Sequence, residues 1–471
     1  MKYIHILAMM KIFLVEFNGW QGIQIALSYL ANVFSRKNRC KIVAFESYSL
    51  FHDNKNNLLN KIKWNIGKLF KIKNFGVYAS FGVTDFIKPK YDSSIKKSSL
   101  KKVEKFFKKK KNLRDLENFR IDNVWIGDLI YDSYLKKFST YTIDLDSKKF
   151  KLFFFECLCN FHFWSKYFKK NNIKGIAVGH SVYVSGIPLR IADHYNISNF
   201  SFEGSNFVNG TGRTSFKKRE NHSGGHFRYY RKLFKKFKSS QAKKNIALGQ
   251  KYLKELIQGK KIYYYLEKKA FSKKNYNINY FKKSKKIKVV IFSHVFSDSP
   301  HVFGNHFFPD FNEWFKFLEK IVQQTNYDWY LKPHPQEDKM TKKIVRLFIK
   351  NNPSIKLLPN NLSNSYIARK KIDFALTVYG TIGSELPGYG IKLINASKNN
   401  PTFGYNFCIN PKNLNEYKKI LLNLKKNNFK INKKDLFEFH YMKRHYSDFD
   451  NFLFTDLDKY FKFNNQMRRN I

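Results

Sequence analysis

Short apolar runs alternate with amphipathic stretches along most of the chain. The run KIFLVEF begins at Lys11, an amphipathic stretch follows over residues 22–34, and a second apolar run covers residues 41–47. Apolar runs of this length predict buried strands, and the stretch between them has the period of a helix. The order strand, helix, strand therefore predicts a parallel βαβ unit.

The alternation is most regular after residue 287. Five apolar runs alternate there with helical stretches, which predicts a doubly wound parallel sheet. The predicted strands cover residues 289–294, 328–334, 354–358, 373–378 and 392–395, and the predicted helices cover residues 311–324, 339–350, 363–369 and 413–425, with a short helix from Ser384.

The N-terminal half shows the same alternation less cleanly, with strand-like runs at 175–181 and 199–204. Residues 56–112 are rich in Lys and broadly helical, and their charge runs are interpreted as a solvated face. A chain of 471 residues exceeds the roughly 250 to 300 residues at which single cores stop growing. We therefore expect an α/β protein of two Rossmann-like domains that face each other across a cleft.

A polar, aperiodic segment at 267–286 marks the expected domain boundary. The prediction is an N-terminal Rossmann-like domain at 1–270, a C-terminal Rossmann-like domain at 287–440 and a helical tail at 441–471.

Charge changes this picture less than its size suggests. The chain has 88 Lys and Arg against 35 Asp and Glu, a formal net charge of +53. Either A/T-rich codons fill a solvated surface with Lys, or a positive field attracts nucleic acid, an acidic membrane or a phosphorylated substrate. A hydrophobic content of 43% excludes a disordered basic tail.

Cysteine spacing and hydropathy indicate the compartment. The four cysteines match neither zinc-ligand nor redox spacing, so reduced thiols in a cytoplasmic protein are expected. Lys11 interrupts the apolar N-terminus, and the apolar run at 152–164 is shorter than the roughly 20 residues that cross a bilayer. Neither a signal peptide nor a transmembrane helix is predicted.

Ligands of parallel sheets bind beyond the carboxyl ends of the strands, and two polar motifs occupy such positions. Lys332-Pro-His334-Pro places a cation and an imidazole on a turn that two prolines stiffen, which suits a phosphate. The alternative is a Pro-rich turn with an incidental His.

The second motif, residues 380–385, joins a strand to a helix. Gly380 lets the backbone approach a ligand, Thr381 and Ser384 offer hydroxyl donors, and Glu385 can accept from a sugar or ribose hydroxyl. The alternative for Ser384 is an ordinary N-cap.

The order strand-KPHP and then TVYGTIGSELPGYGIKLINA resembles the C-terminal domain of GT-B glycosyltransferases that build capsule and other surface polysaccharides. It is similar in particular to the group with an HP motif, such as Kdo and sialic acid transferases, and to teichoic acid glycerophosphotransferases. The match covers residues 290–400 and, more loosely, 124–137 and 179–192.

This resemblance implies the roles of the donor-site residues. It makes residues 287–440 the nucleotide-sugar-binding domain and residues 1–270 the acceptor-binding domain. His334 would contact the donor phosphate, and Thr381, Ser384 and Glu385 would contact the phosphate or ribose. Lys332, Gly380 and the strand-end His294 are further donor-site candidates because of their positions after strands. Where the group has a double serine, this chain has Thr381 and Ser384, so the donor need not be a cytidine nucleotide. No metal and no cofactor other than the donor is expected.

In such an enzyme the N-terminal domain presents the acceptor, and a base near the acceptor hydroxyl is required. The candidates are His180, Asp128 and Asp132. The structural alternatives are a hydrogen-bonded strand-end His, a helix N-cap and a helix-surface carboxylate, respectively. The loop at 294–301, with two His and Asp298, is predicted to act as a closing lid.

Other motifs fail on their spacing. Residues 209–214 lack the first glycine and the lysine of a phosphate loop, His222 and His226 have no evident third metal ligand, and no G-x-S-x-G surrounds a serine. The sequence thus predicts a glycosyltransferase that uses a nucleotide-sugar and a lipid-linked or polysaccharide acceptor, in the cytoplasm or on the inner face of an anionic membrane. The alternatives are a CDP-glycerol type polyol-phosphate transferase and a basic nucleic-acid-binding protein, for which no module is present.

Overall fold

A computed structural model of the chain describes residues 10–46, 58–203, 206–209, 227–228, 230–260 and 279–447. Contacts within the chain divide it into two compact units. The first unit contains Met1–Lys137, Ile143–Ser223 and Ser447–Ile471, and the second contains Phe138–Thr142 and Gly224–Tyr446.

The first unit is built on a six-stranded sheet in the order β3-β2-β1-β6-β7-β8. Its pairs are parallel except for the antiparallel pair β7–β8, and β4 and β5 form a separate antiparallel hairpin. The strands are β1 (Ile12–Glu16), β2 (Lys41–Phe45), β3 (Val83–Ile87), β4 (Arg120–Ile121), β5 (Val124–Trp125), β6 (Ile173–Val178), β7 (Ser198–Glu203) and β8 (Asn206–Asn209). The helices are α1 (Gln21–Asn38), α2 (Leu58–Phe70), α3 (Asn74–Ser80), α4 (Ser93–Lys109), α5 (Leu113–Glu117), α6 (Gly127–Phe138), α7 (Lys148–Lys170) and α8 (Ile187–His194).

The second unit is built on a five-stranded parallel sheet in the order β11-β10-β9-β12-β13. The strands are β9 (Lys288–Phe292), β10 (Asp328–Lys332), β11 (Lys356–Leu357), β12 (Phe374–Thr377) and β13 (Lys392–Asn395). The helices are α9 (Tyr230–Phe234), α10 (Ser239–Ile257), α11 (Phe311–Gln323), α12 (Lys339–Asn351), α13 (Asn364–Ala368), α14 (Ile382–Glu385), α15 (Leu414–Leu422) and α16 (Lys433–Ser447).

Both sheets have the strand order of a doubly wound Rossmann-like fold, so the predicted α/β class with two such domains is confirmed. The central strands are apolar on both faces because helices cover both sides: all residues of β1, β10 and β12 are buried. In each sheet the strand order reverses beside the central strand, between β1 and β6 and between β9 and β12. These two points, at the carboxyl ends of the strands, are where such sheets bind ligands.

The division into units differs from the predicted boundary between 270 and 287. Helices α9 and α10, expected in the N-terminal domain, belong to the second unit, because Tyr230, Phe234 and Leu253 join an apolar cluster with Val290 and Tyr330 of its sheet. The polar segment at 261–278 lies outside the described residues. α16 continues past residue 440, so the predicted tail begins inside this helix, and 448–471 also lie outside the described part.

No helix in the described part of the chain is both long and apolar enough to cross a membrane. The apolar run at 152–164 lies within α7, whose buried face carries Phe153, Phe154 and Trp164. Of the four free cysteines, Cys157, Cys159 and Cys408 are buried and Cys40 is half-buried.

Candidate functional site

The candidate donor site lies at the carboxyl edge of the second sheet, where its strand order reverses. β9 is hydrogen-bonded to β10 on one side and to β12 on the other. The segments that follow these three strands therefore emerge side by side and bring together His294, His334 and Gly380, which lie far apart in sequence. These three predicted donor residues thus follow neighbouring strands at one edge of the sheet.

A relay of hydrogen bonds connects His294 to β12. The Thr377 hydroxyl lies 3.0 Å from Nε2 of His294, and the Val378 N–H donates to the same nitrogen at 3.2 Å. Since a backbone N–H only donates, Nε2 is unprotonated and the ring carries its proton on Nδ1. Thr377 Oγ1 in turn accepts the Gly380 N–H at 3.2 Å, so the His294 ring fixes the start of the loop at 380.

Aromatic rings enclose His294. It stacks on Phe311 with ring centroids 4.4 Å apart and an interplanar angle of 5°, and Tyr379 lies 4.7 Å away. Burial, with a smaller contribution from the neighbouring His334, lowers the pKa of His294 to about 3. The ring is therefore neutral at physiological pH and serves to position the loop.

His334 is held by backbone contacts on both sides. The backbone N–H of His334 donates to Ser293 Oγ at 3.1 Å, and the ring Nδ1 accepts the backbone N–H of Gln336 at 3.1 Å. Burial and the charge of Lys332 lower the pKa of His334. In the neutral ring that results, Nε2 carries the proton, so a half-buried N–H donor is held in one orientation.

The contacts of Lys332 differ from the phosphate contact that the motif predicts. Its side chain is buried, and its ammonium donates to the Pro333 carbonyl at 3.4 Å and to the Asn360 carbonyl at 3.0 Å. Burial lowers the pKa of Lys332 to about 8, against the attraction of Glu337. These contacts favour a role in holding the turn that carries His334 over direct contact with a phosphate.

Position 380 requires glycine, because Thr377 and His294 lie close to its Cα. A Cβ at this position would lie 2.9 Å from Thr377 Oγ1 and 3.6 Å from Cε1 of His294. Any side chain would therefore displace the relay between His294 and the loop. Thr381, the next residue, is exposed at the same edge.

The remaining predicted donor residues point inward. Ser384 is not an N-cap: it lies inside the single turn of α14, is buried, and donates back to the Thr381 carbonyl at 3.1 Å. Glu385 is buried and accepts from Asn364 Nδ2 at 3.1 Å, and burial raises its pKa. His440 on α16 lies 2.8 Å from the Ser384 carbonyl. These contacts hold α14 in place and favour a structural role for Ser384 and Glu385.

Sequence reasoning missed a polar group beside this edge. His306 Nδ1 lies 2.5 Å from Ser397 Oγ after β13, and its ring stacks on Tyr379 at 5.0 Å. Asn399 accepts from Arg228 and donates to the Asn305 carbonyl at 2.6 Å. The polar run ASKNN after the strand at 392–395 was the available indication.

The loop at 294–301 is anchored, which differs from the predicted lid. Ser297 donates to Asp338 at 2.9 Å, Phe296 N–H donates to Thr341 at 3.0 Å, and Tyr379 donates to the Ser299 carbonyl at 3.0 Å. These bonds connect the loop to the N-terminus of α12 and to the segment after β12. The contacts favour a fixed wall of the site.

In the first unit, the point of strand reversal brings together Glu16 and His180. Glu16, at the end of β1, is fully buried, and its Oε2 accepts the Gly179 N–H at 2.5 Å. His180 follows and is exposed, with its Nδ1 accepting the Val182 N–H at 3.3 Å. Tyr183 has φ 62° and ψ 179°, a strained conformation of the type found at functional sites. Glu16 was hidden within a run interpreted only as a strand.

Asp128 and Asp132 are less suited to act as a base. Asp128 is fully buried in a two-point ion pair with Arg190, with N···O distances of 2.5 and 2.6 Å. Arg190 also donates to the Trp125 carbonyl at 2.8 Å and lies over the Trp125 ring. Asp132 is buried one turn further along α6. The contacts of Asp128 favour a structural role, and they differ from the N-cap alternative.

Among the described residues, no three His, Cys, Asp or Glu side chains are grouped as a metal site would require. The pair His222 and His226 lies outside the described part of the chain.

Comparisons with known proteins find solved structures that resemble this chain distantly. No family model and no curated protein matches the chain. Solved structures that resemble it include KpsC β-Kdo 2,4 transferase of Thermosulfurimonas dismutans, with 11% identity, 57% of this chain and 79% of that chain covered, and a TM-score of 0.38. KpsC β-Kdo 2,7 transferase of the same organism has 14% identity, coverages of 65% and 85%, and a TM-score of 0.33. S. aureus MnaA with UDP has 10% identity, coverages of 93% and 93%, and a TM-score of 0.30. Identities and TM-scores this low say nothing about the reaction.

Proposed function

We propose that the chain is a glycosyltransferase that moves a sugar from a nucleotide-sugar to a capsule, lipopolysaccharide or other surface polysaccharide acceptor. The observation that supports it most is the fixed Nε2–H of His334 at the carboxyl edge of a doubly wound sheet. A donor group held in one orientation at such an edge suits the phosphate of a nucleotide. The KPHP motif that carries His334 is also the part of the sequence that resembles the GT-B transferases.

The chemistry assigned to the donor site is leaving-group stabilisation. When the bond between the anomeric carbon and the donor phosphate breaks, negative charge grows on the phosphate oxygens. A neutral imidazole N–H that is already aimed at these oxygens stabilises that charge without reorganisation. The relay from His294 through Thr377 keeps the backbone at Gly380 and Thr381 in place on the other side of the site.

The acceptor is assigned to the first unit, at the reversal point where His180 and Glu16 meet. His180 is the preferred base, because it is exposed at the reversal point and the Val182 N–H, which donates to its Nδ1, orients the ring. A base there takes the hydroxyl proton as the oxygen attacks the anomeric carbon. The proposed location is the cytoplasmic face of the membrane that carries a lipid-linked acceptor.

A thermal-shift screen of the full chain tests the proposal. CMP-, CDP-, UDP- and GDP-linked sugars and CDP-glycerol are compared, and one sugar-nucleotide class is expected to raise the melting temperature. His334→Ala should weaken the binding of that nucleotide about tenfold, which corresponds to the loss of one hydrogen bond to a charged group. Gln336→Ala, an exposed neighbour whose backbone N–H is retained, is the matched control and should bind as the wild type does.

The other outcomes are equally informative. Stabilisation by CDP-glycerol alone would support the polyol-phosphate transferase. Binding of no nucleotide, together with a steeply salt-dependent affinity for nucleic acid, would contradict the transferase and favour the basic nucleic-acid-binding alternative.

A further inference from the structure

Helix α2 presents an exposed apolar face. Ile62, Ile66, Leu69 and Phe70 are between 43% and 74% exposed. Since successive helical residues turn by about 100°, these four lie within an arc of about 100°. Soluble proteins rarely expose a contiguous apolar stripe of this kind unless it binds something.

The opposite face of α2 attaches the helix to the first unit. Trp64 contacts Phe17 and Phe75, with ring centroids 5.4 and 5.0 Å apart. At Gly67 a Cβ would lie 2.7 Å from the Phe75 ring, so the helix packs closely there. The helix therefore has one face that packs inward and one apolar face that points outward.

All charged residues within α2 and directly after it are lysines. Residues 58–73 contain no Asp or Glu, and their lysines are Lys61, Lys63, Lys68, Lys71 and Lys73, all exposed. Lys68 pairs with Asp85 of β3 at 2.7 Å. On the helical wheel Lys63 lies on one side of the apolar arc and Lys61 on the other. An apolar stripe between lysines is the pattern of a helix that lies in the interface of an anionic bilayer.

We propose that α2 is a docking surface for an anionic lipid bilayer, with Ile62, Ile66, Leu69 and Phe70 inserted among the acyl chains and the lysines at the headgroups. Phe17, which contacts Trp64, directly follows Glu16 at the end of β1. The bilayer thus lies beside the carboxyl edge of the first sheet. This inference concerns binding alone, and it is independent of the reaction proposed above.

Vesicle sedimentation with the full chain tests the inference. The wild type should bind phosphatidylglycerol-containing vesicles and bind pure phosphatidylcholine vesicles much more weakly. The charge-neutral variant Ile62→Ser/Ile66→Ser/Leu69→Ser should lower the partition coefficient at least about 100-fold, because three apolar side chains no longer leave water. The matched control is Leu100→Ser/Leu152→Ser/Leu347→Ser, three exposed leucines on other helices, and it should bind as the wild type does.

A second variant tests the charge. Lys61→Gln/Lys63→Gln should weaken binding to anionic vesicles about 25-fold, or about fivefold per lysine, with no effect on neutral vesicles. Equal binding by the wild type and the α2 triple variant would overturn the inference, as would an absence of wild-type binding to anionic vesicles. A dimer in lipid-free solution that the triple variant converts to a monomer would also overturn it, because a second copy would then cover α2. Nucleotide-induced stabilisation, measured on every variant, shows separately whether the donor site is intact.

Discussion

At the scale of residues, the donor site depends on groups whose protonation is fixed by burial. Burial lowers the pKa of His294 and keeps the ring neutral, and two hydrogen bonds to Nε2 and stacking on Phe311 hold the ring in place. Sequence could place His294 at a strand end, but its partner Thr377 lies 83 positions away. Only the sheet order, which puts β9 beside β12, brings the two together, so local patterns could not predict the relay.

Thr377→Val tests how much the hydrogen-bond relay contributes to stability. The change keeps the shape of the side chain but leaves His294 Nε2 and the Gly380 N–H each without one partner. We expect a loss of about 1 to 3 kcal/mol in the free energy of unfolding, measured by urea denaturation. Thr377→Ser keeps the hydroxyl and is the control; equal stability of the two variants would show that the relay contributes nothing.

Buried neutral histidines predict a dependence of stability on pH. Burial, together with Lys443, lowers the pKa of His440 to about 3, whereas an unfolded chain has a His pKa near about 6.5. Below that value the unfolded state takes up a proton that the folded state does not. His440 therefore favours unfolding increasingly as pH falls from about 6.5 towards 3, by about 1.4 kcal/mol per pH unit.

His440→Gln, which keeps an N–H for the Ser384 carbonyl, should reduce that slope by about 1.4 kcal/mol per pH unit. Urea denaturation at several pH values between 4 and 7 measures it. Identical slopes for the variant and the wild type would mean that His440 is protonated in the folded state.

At the scale of elements, periodicity was sufficient in the second unit and insufficient in parts of the first. The regular alternation after residue 287 placed β9 to β13 nearly correctly, because central parallel strands are continuous apolar runs. β3 was missed within the Lys-rich region, since only Val83 and Phe86 of this edge strand are buried. The apolar face of α2 was also missed, because the lysines of this helix suggested an ordinary solvated helix.

The ion pair between Asp128 and Arg190 connects α6 to α8 and predicts how the catalytic candidates differ. Asp128→Ala leaves the buried Arg190 without its carboxylate, and we expect a loss of about 3 to 5 kcal/mol in the free energy of unfolding. His180→Ala, at an exposed position, should change it by less than about 0.5 kcal/mol. Chemical denaturation of both variants decides the point: a fully stable Asp128→Ala variant would return Asp128 to the list of possible bases.

At the scale of the whole molecule, composition predicted two domains, and the division into compact units places α9 and α10 in the second unit. A polar stretch at 267–286 suggested a linker, whereas the apolar side chains of α9 and α10 pack with the second unit. Polarity reports solvent exposure, and the division into units is set by which core a helix joins. The net charge of +53 is likewise a sum over both units, and its functional part is local, as on α2.

A co-crystal structure with the nucleotide-sugar that stabilises the protein best tests the proposed donor site. We predict that the nucleotide lies at the carboxyl edge of the second sheet, with a phosphate oxygen within about 3 Å of His334 Nε2. A nucleotide bound at another place on the chain, or a phosphate that contacts surface lysines and not His334, would rule out the proposed donor site.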